Sequence, residues 1–318
     1  MHAMPDHAVG GTNRTIYLRL LVSFCLNAAI ACVEIVAGIA SGSIALIADA
    51  VHNLGDAFAL ALSLISHNLG RRPPTLRHSY GLKRAEILAA FCNALMLAVL
   101  AMFIIEHALS RLMRPEGIHA PVTILVAIAA IVVNSASVLL LRHHDHDDLN
   151  VRAAVLHLLQ DVFSSLIVVI SASLAETRIG MYLDPAAAIV IGVAVVLSAL
   201  SILRGVLITL LESVPDGIQL EELAQSTEAR FPGTALHHLH VWQVGPKQNI
   251  LTAHLLIRDM KALHAEMLCN EIRDYLKEEW GIRHVTLEPE VKGCGSETLL
   301  GKWQGNGCGS DSDSPRSV

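Results

Sequence analysis

Two copies of one short pattern place ionisable side chains inside apolar sequence. His52 and Asp56 lie in the middle of the apolar run 43–65, and His157 and Asp161 repeat the same H-x-x-x-D spacing in a later apolar segment. On a helix, residues four apart share a face, with Cβ atoms about 5–6 Å apart. Each pair can therefore offer two ligands to one cation, and a tetrahedral ion takes about four.

The cost of burying these groups in lipid favours a function for them. An ionisable side chain near the centre of a bilayer costs at least ~2.5 kcal/mol on insertion scales, so it usually faces the interior of a helix bundle. The alternative is that the four residues only connect helices by hydrogen bonds, as polar groups in membranes do. Because the same chemistry appears twice at helical spacing, we favour a metal site shared by both pairs.

The composition excludes a soluble enzyme. Of the 318 residues, 53% are hydrophobic and 16% charged, and the mean hydropathy is +0.51. These values fit a multi-pass membrane protein with a small soluble part. The net charge of -6 argues against nucleic acid as a partner. The 17 histidines supply the commonest metal ligand, whereas the six cysteines form no C-x-x-C pair and no disulfide framework.

Six segments are long and apolar enough to cross a bilayer core, which takes ~20 residues. They are residues 16–40, 43–68, 87–112, 120–141, 151–175 and 185–211. Residues 16–211 are therefore predicted to form an all-α transmembrane bundle of six helices. Residues 1–15 are polar and lack the features of a signal peptide, so we expect a disordered N-terminus.

Basic residues decide the expected orientation of the spans. The loop after the second span carries several of them, namely Arg71, Arg72, Arg77, Lys83 and Arg84. By the positive-inside rule this loop and both termini lie in the cytoplasm. His52 and Asp56 then lie roughly 14–20 Å below the outer end of one span, and His157 and Asp161 roughly 9–15 Å above the inner end of another. In a hydrocarbon core of ~30 Å, the two pairs come to similar depth.

After Leu211 the hydropathy drops, and a soluble domain is expected over residues 212–292. Its pattern predicts helices at 218–231 and 261–280 and strands at 236–244, 250–258 and 284–288. This αββαβ order indicates a small ferredoxin-like α+β module. The rest, residues 293–318, is rich in Gly, Ser and Asp and is expected to be a disordered tail.

Asp49 is a further carboxylate in the second span, one helical turn before His52. Three roles are open to it at this point. It can orient His52, relay protons, or pair with a neighbouring helix. Direct ligation of a metal is the less favoured interpretation.

Six motifs follow one another in order through the chain. They are SIALIADAVHNLGD at 43–56, RHSYGLKRAEILAAFCNAL at 77–95, HLLQD at 157–161, LDP at 183–185, LLESVPDGI at 210–218 and LHVWQV at 239–244. Together they resemble the cation diffusion facilitators, in particular the zinc-transporting branch, over about residues 16–290. The resemblance implies a six-span homodimer with a cytoplasmic metallochaperone-like domain that exports divalent metal in exchange for protons. It maps the transport site onto His52, Asp56, His157 and Asp161.

The ligand types of this site indicate the metal. Two imidazoles and two carboxylates suit Zn²⁺, with Cd²⁺ and Co²⁺ as further candidates, whereas Mg²⁺ and Ca²⁺ prefer more oxygen ligands. Ligand chemistry does not exclude Ni²⁺ or Mn²⁺. Imidazole must be neutral to bind a metal, so protons and metal compete at His52 and His157. This competition is the simplest basis for exchanging metal against protons.

The loop 142–150 combines histidines with aspartates after the fourth span, in the sequence RHHDHDDLN. Its histidines are His143, His144 and His146. Such a tract binds metal weakly and can raise the local concentration of ions at the inner mouth of a transporter. We favour this metal-gathering role over a solvated polar turn, which is the alternative.

A second, cytoplasmic metal site is implied by the resemblance. It would use His240, His254 and Glu288, on neighbouring strands of the soluble domain. Thr286 replaces the last-strand histidine of the family, which departs from the pattern, and histidines that only pair strands are an equal alternative. Zn²⁺ at this site would act as a structural or regulatory ion that braces the dimer.

Two other function classes remain open. A membrane metal sensor or receptor would bind divalent metal without moving it. An intramembrane metalloenzyme is disfavoured, because there is no H-E-x-x-H motif and four protein ligands leave no open position for water. The sequence therefore predicts a transporter, not an enzyme, in a bacterial inner membrane. Its partners are a second copy of the chain, divalent metal ions, protons and lipid.

Overall fold

The chain, represented by a computed structural model, is described for residues 9–142, 149–177, 179–246, 248–293 and 298–300. It divides into two compact units. The first comprises Met1–Ser66 and Leu88–Arg204, and the second comprises His67–Ile87 and Gly205–Val318. The division falls between residues 204 and 205, and the segment His67–Ile87 between the second and third spans belongs to the second unit.

Each of the six expected spans is helical. The helices are α1 (Val9–Ser41), α2 (Ile44–Gly70), α3 (Ala85–Met113), α4 (Ala120–Arg142), α5 (Leu149–Ser173) and α6 (Gly180–Leu210). Among the described residues, five helices are long and apolar enough to cross a membrane, and α1 adds the shorter apolar stretch Cys25–Ser41. The molecule is thus a multi-pass membrane protein. Because α1 begins at Val9, residues 9–15, which we expected to be disordered, are helical.

Small residues form much of the interior of the first unit. Its buried alanines include Ala45, Ala48, Ala101, Ala108, Ala127 and Ala188. Small side chains let membrane helices approach closely, since lipid offers no hydrophobic force to hold them together. Gly55, next to Asp56, lies so close to Leu97 of α3 that a Cβ atom there would overlap with it. Close helix packing therefore fixes the segment of α2 that carries the predicted ligands.

The start of α2 is held by a carboxylate of α6. The Ser43 hydroxyl accepts a hydrogen bond from the Leu46 amide at 3.1 Å and donates one to Asp184 at 2.5 Å. The other oxygen of Asp184 accepts a hydrogen bond from the Ile44 amide at 2.8 Å. These bonds satisfy amides that a helix N-terminus leaves open, and the carboxylate lies at the positive end of the helix dipole.

The second unit has the predicted αββαβ order. Its elements are α7 (Leu220–Arg230), β1 (Ala235–Gly245), β2 (Gln248–Leu256), α8 (Ala262–Glu279) and β3 (Ile282–Glu290). The sheet order is β1-β2-β3, with β1 antiparallel and β3 parallel to β2. A parallel pair needs a crossover connection, and α8 provides it. The core includes Leu223, Leu239, Leu251, Leu255, Ile272 and Leu276, all fully buried.

An irregularity interrupts β1. His237 lies opposite His254, but His240 lies opposite Thr252, so β1 has one residue more than β2 over this stretch. This is a β-bulge, and His238 within it has a positive φ of 48°. The bulge matters for the sheet because it changes which side chains of β1 share a face.

Part of the expected C-terminal tail is packed against this unit. The Leu239 amide donates a hydrogen bond to the carbonyl oxygen of Leu299 at 2.8 Å, and Leu299 contacts the core. The expectation of disorder is therefore corrected for residues 298–300. Residues 301–318 lie outside the described residues, as do residues 1–8 and the loop with His143, His144 and His146.

We expect Asp184→Ala to destabilise the protein, because it removes the acceptor for Ser43 and for the Ile44 amide. The free energy of unfolding should fall by about 1–3 kcal/mol. Thermal unfolding of the purified protein in detergent would report this as a lower Tm. Asp216→Ala, at an exposed aspartate outside these contacts, is the matched control. Equal Tm values for both variants would contradict the anchoring role of Asp184.

Candidate metal centres

The structure brings the four predicted intramembrane residues together. His52 Nδ1 lies 3.5 Å from Asp56 Oδ2 on the same helix, and His52 Nε2 lies 3.5 Å from Asp161 Oδ1 on α5. His157 Nε2 lies 3.4 Å from Asp56 Oδ2 and 3.9 Å from Asp161 Oδ2. Each imidazole therefore stands between a carboxylate of its own helix and one of the facing helix.

These separations fit ligands of one ion better than hydrogen bonds. Donor atoms about 2.0–2.2 Å from a tetrahedral ion lie about 3.4 Å from one another. An N–H···O hydrogen bond is usually about 2.7–3.2 Å long. His52, Asp56 and Asp161 each offer one donor atom within 4.8 Å of the others, and the rings of His52 and His157 have centroids 6.0 Å apart. These three residues have the dimensions of a single cation site, and His157 lies outside this group although its Nε2 is 3.4 Å from Asp56 Oδ2.

The polar atoms of this cluster are buried without hydrogen-bond partners. Asp161 is 0% exposed and His52 8%. Among the described residues, no hydrogen bond reaches His52 Nε2, Asp56 Oδ2 or either carboxylate oxygen of Asp161. Buried polar atoms are normally satisfied, and a cation would satisfy all of these at once. Asp56 and His157 are part-exposed, which leaves one side of the cluster accessible.

Asp49 pairs with a neighbouring helix, which was one of the three roles open to it. The hydroxyls of Ser164 and Ser165 donate hydrogen bonds to its carboxylate, the second at 2.7 Å. Asp49 lies one turn before His52, and the two serines lie one turn after Asp161. The contact therefore fixes the register of α2 against α5. Sequence reasoning missed the serines, because Ser in an apolar helix carries no signal of its own.

A second buried carboxylate ties α1 to the site. Glu34 is 0% exposed, and its carboxylate accepts a hydrogen bond from the Asn53 side chain at 3.1 Å. Asn53 follows His52 directly in α2. The helix with the first ligand pair is thus held by polar contacts to α1, α5 and α6.

A second cluster of residues that could bind a metal lies in the sheet of the second unit, and its residues differ from the predicted ones. It consists of His237, His254 and Glu290, whose donor atoms lie within 4.8 Å of one another. His237 Nε2 is 3.1 Å from Glu290 Oε2, and His254 Nδ1 is 2.6 Å from Glu290 Oε1. His237 is buried, and the other two are partly buried.

The expected trio of His240, His254 and Glu288 is corrected accordingly. His254 belongs to the cluster, but His240 is exposed and lies opposite Thr252, beyond the bulge. Glu288 pairs with His254 in the sheet register, yet its side chain is 71% exposed and its carboxylate is 3.7 Å from His254 Nε2. The prediction rested on the resemblance to the family, and the bulge places His237, not His240, opposite His254.

His238 lies beside this cluster. Its ring centroid is 5.6 Å from that of His237 and 4.8 Å from that of His254. Its partial burial, and the neighbouring rings of His254 and His237, lower the pKa of His238 below the ordinary imidazole value. The ring is therefore neutral at neutral pH.

Comparisons with known proteins agree with the motifs and the fold. A family model described as the cation efflux transmembrane domain matches residues 20–211, and one described as the cation efflux protein cytoplasmic domain matches residues 215–291. Zinc transporter ZitB of Escherichia coli (strain K12) is 35% identical over 278 residues, 87% of this chain and 88% of the relative. Metal cation efflux system protein CzcD of Cupriavidus metallidurans is 32% identical over 290 residues, 91% and 90% of the two chains.

A third relative extends over nearly the whole sequence. The cadmium, cobalt and zinc/H(+)-K(+) antiporter of Bacillus velezensis is 28% identical over 315 residues, 98% of this chain and 97% of the relative. The resemblance seen in the motifs is confirmed by two family models that together span the membrane and sheet units. It is also confirmed by relatives that match almost the whole chain. The chain belongs to the cation efflux, or cation diffusion facilitator, family of membrane transporters.

Proposed function

We propose that this protein exports Zn²⁺ from the cytoplasm in exchange for protons, with His52, Asp56, His157 and Asp161 as the transport site. The observation that carries the proposal is the convergence of the two pairs around buried donor atoms without hydrogen-bond partners among the described residues. Relatives named as a zinc transporter, a cation efflux protein and an antiporter favour transport over sensing and over enzymatic activity.

The donor set supports Zn²⁺ as the main substrate. Two imidazoles and two carboxylates suit Zn²⁺, and Cd²⁺ and Co²⁺ accept similar ligands. One relative is named for all three of these metals. We therefore propose Zn²⁺ first, with Cd²⁺ and Co²⁺ as further substrates.

Proton exchange follows from the chemistry of the ligands. His52 and His157 bind a metal ion only as neutral imidazoles, and carboxylates bind it only when ionised. A metal ion entering from the cytoplasm therefore displaces protons, and protons arriving from the other side displace the metal. The part-exposed faces of His157 and Asp56 give both ions a way to the site.

Several features of the assembly belong to the same proposal. We propose a homodimer in a bacterial inner membrane, with both termini in the cytoplasm. The basic loop after α2 supports this orientation, and the family model matching residues 215–291 is described as a cytoplasmic domain. The second unit has a small core, which association with a second copy would extend.

We also propose that His237, His254 and Glu290 hold a resident Zn²⁺ in the cytoplasmic domain. Two imidazoles and a carboxylate are ligands that zinc uses in structural sites, and their donor atoms are close enough to share one ion. Such an ion would link β1, β2 and β3 and so stabilise the domain, with a regulatory effect on transport. The histidine loop 143–146 remains a proposed metal-gathering segment.

Asp161→Asn should abolish zinc transport, because it removes a buried charged ligand. In proteoliposomes with a zinc-sensitive dye, we expect the initial flux to fall at least ~10–100-fold. His157→Ala should reduce the initial zinc flux in the same way. The control is His107→Ala, at an exposed histidine of α3 that belongs to no ligand cluster in the described residues. Wild-type flux in Asp161→Asn would refute the assigned transport site.

Zinc flux should depend on a pH gradient imposed across the same proteoliposomes. A gradient that drives protons against the direction of zinc movement should accelerate zinc flux, and zinc addition should release a measurable flow of protons. The Asp161→Asn protein provides the baseline for both signals. Zinc flux that is indifferent to the gradient would refute proton exchange while leaving zinc transport itself intact.

A further inference from the structure

We propose that His238 is a further ligand of the metal centre in the cytoplasmic domain. The centre would then consist of three imidazoles and one carboxylate, from His237, His238, His254 and Glu290, around one resident tetrahedral Zn²⁺. This inference rests on the resident zinc proposed above and specifies its coordination. It assigns a role to a histidine that regular strand geometry would turn away from the cluster.

The backbone of β1 places His238 on the side of its neighbour His237. In a regular strand, successive side chains point to opposite faces of the sheet. Here the extra residue between His237 and His240 breaks the alternation, and His238 has a φ of 48°. β-Bulges often re-aim a side chain beside a functional site. The result is that two consecutive histidines lie beside His254 of the next strand.

The positive φ is informative about the role of His238, because a histidine occupies a position that would suit glycine. The left-handed region favours glycine, which has no Cβ, and among other residues Asn, Asp and His adopt it most often. A glycine at this position would form the bulge without strain. The chain instead has an imidazole there, where it lies close to two others. A ligand role accounts for the imidazole, whereas the bulge alone does not.

The centroids of the three rings have the spacing of imidazoles around one ion, although the His238 nitrogens lie outside the group of donor atoms within 4.8 Å of one another. Their centroids are 5.6, 5.3 and 4.8 Å apart for the pairs His237–His238, His237–His254 and His238–His254. Zn–N bonds of about 2.0–2.1 Å at tetrahedral angles place ring centroids roughly 5 Å apart. The rings are inclined to one another by 74°, 67° and 41°, so none of the pairs is stacked in parallel.

Glu290 supplies the fourth ligand of the proposed set. Its two carboxylate oxygens lie 3.1 Å from His237 Nε2 and 2.6 Å from His254 Nδ1. Glu288 is the competing carboxylate, but it is largely exposed and 3.7 Å from the nearest imidazole nitrogen. Four protein ligands close a zinc site, as is usual for a structural ion. The proposed set therefore holds its ion in place and offers it no open position.

The test uses the full-length protein in detergent with His52→Ala and Asp161→Ala, so that the transport site does not bind. The metal-free protein is loaded with one equivalent of Zn²⁺, and zinc affinity is measured by competition with a chelating dye. X-ray absorption at the zinc edge counts the imidazole ligands. His238→Asn and His238→Gly remove the imidazole while tolerating a positive φ. His240→Asn is the matched control, two residues away in the same strand and outside the cluster.

We expect both His238 variants to bind zinc at least ~10-fold more weakly and to lose one of three imidazoles from the absorption spectrum, while His240→Asn matches the parent. The Tm of the metal-free His238→Gly protein should equal or exceed that of the parent, which excludes misfolding as the cause.

Two results would overturn the proposal, and they are distinguishable. If the His238 variants keep the parental affinity and imidazole count, His238 is not a ligand, and the resident zinc at His237, His254 and Glu290 stands. If the parent itself binds no zinc, the resident ion fails together with its coordination. Neither result touches the transport site, which the flux measurements test separately.

Discussion

Within a hydrocarbon core, a carboxylate or an imidazole must find its polar partners in the protein or in a bound ion, because no water is available to it. His52, Asp56, His157 and Asp161 meet this constraint in an unusual way. They approach one another at 3.4–3.9 Å, too far for good hydrogen bonds, and leave buried oxygens and nitrogens unpaired among the described residues. Such a cluster is incomplete by itself. A divalent cation, or protons in its place, would supply the missing partners of these atoms. Binding and release of an ion require atoms that are unpaired in this way.

An incomplete site needs a rigid frame, and other buried carboxylates provide it. Asp184 holds the start of α2, Asp49 binds the serines of α5, and Glu34 binds the residue that follows His52. Each of these carboxylates accepts at least one hydrogen bond from another helix, whereas no hydrogen bond reaches either oxygen of Asp161 among the described residues. These carboxylates fix the helices that carry the proposed ligands.

The convergence of the four intramembrane residues could be predicted because its determinants are local. The spacing of His52 and Asp56, or of His157 and Asp161, guarantees a shared helix face, and lipid energetics indicates that this face points inward. The sheet site could not be predicted in the same way. The cluster that forms there depends on the pairing of three strands and on one extra residue in β1, whereas the resemblance pointed to His240 and Glu288 rather than to His237 and Glu290. The start of α1 at Val9 was not predicted either, because the helix continues into polar sequence beyond the apolar run from which it was predicted.

The two proposed centres combine the same ligand types, yet their details suit opposite uses of a metal ion. In the membrane site, two carboxylates neutralise the two charges of Zn²⁺, which lowers the cost of holding the ion in a medium of low dielectric constant. Asp56 and His157 are also part-exposed, so the ion and competing protons have access. The sheet site has one partly buried carboxylate, which lies 3.1 Å from His237 and 2.6 Å from His254. In the proposed centre, further imidazoles take the place of a second carboxylate. A neutral, accessible site can exchange its ion, whereas a closed site that joins three strands keeps it.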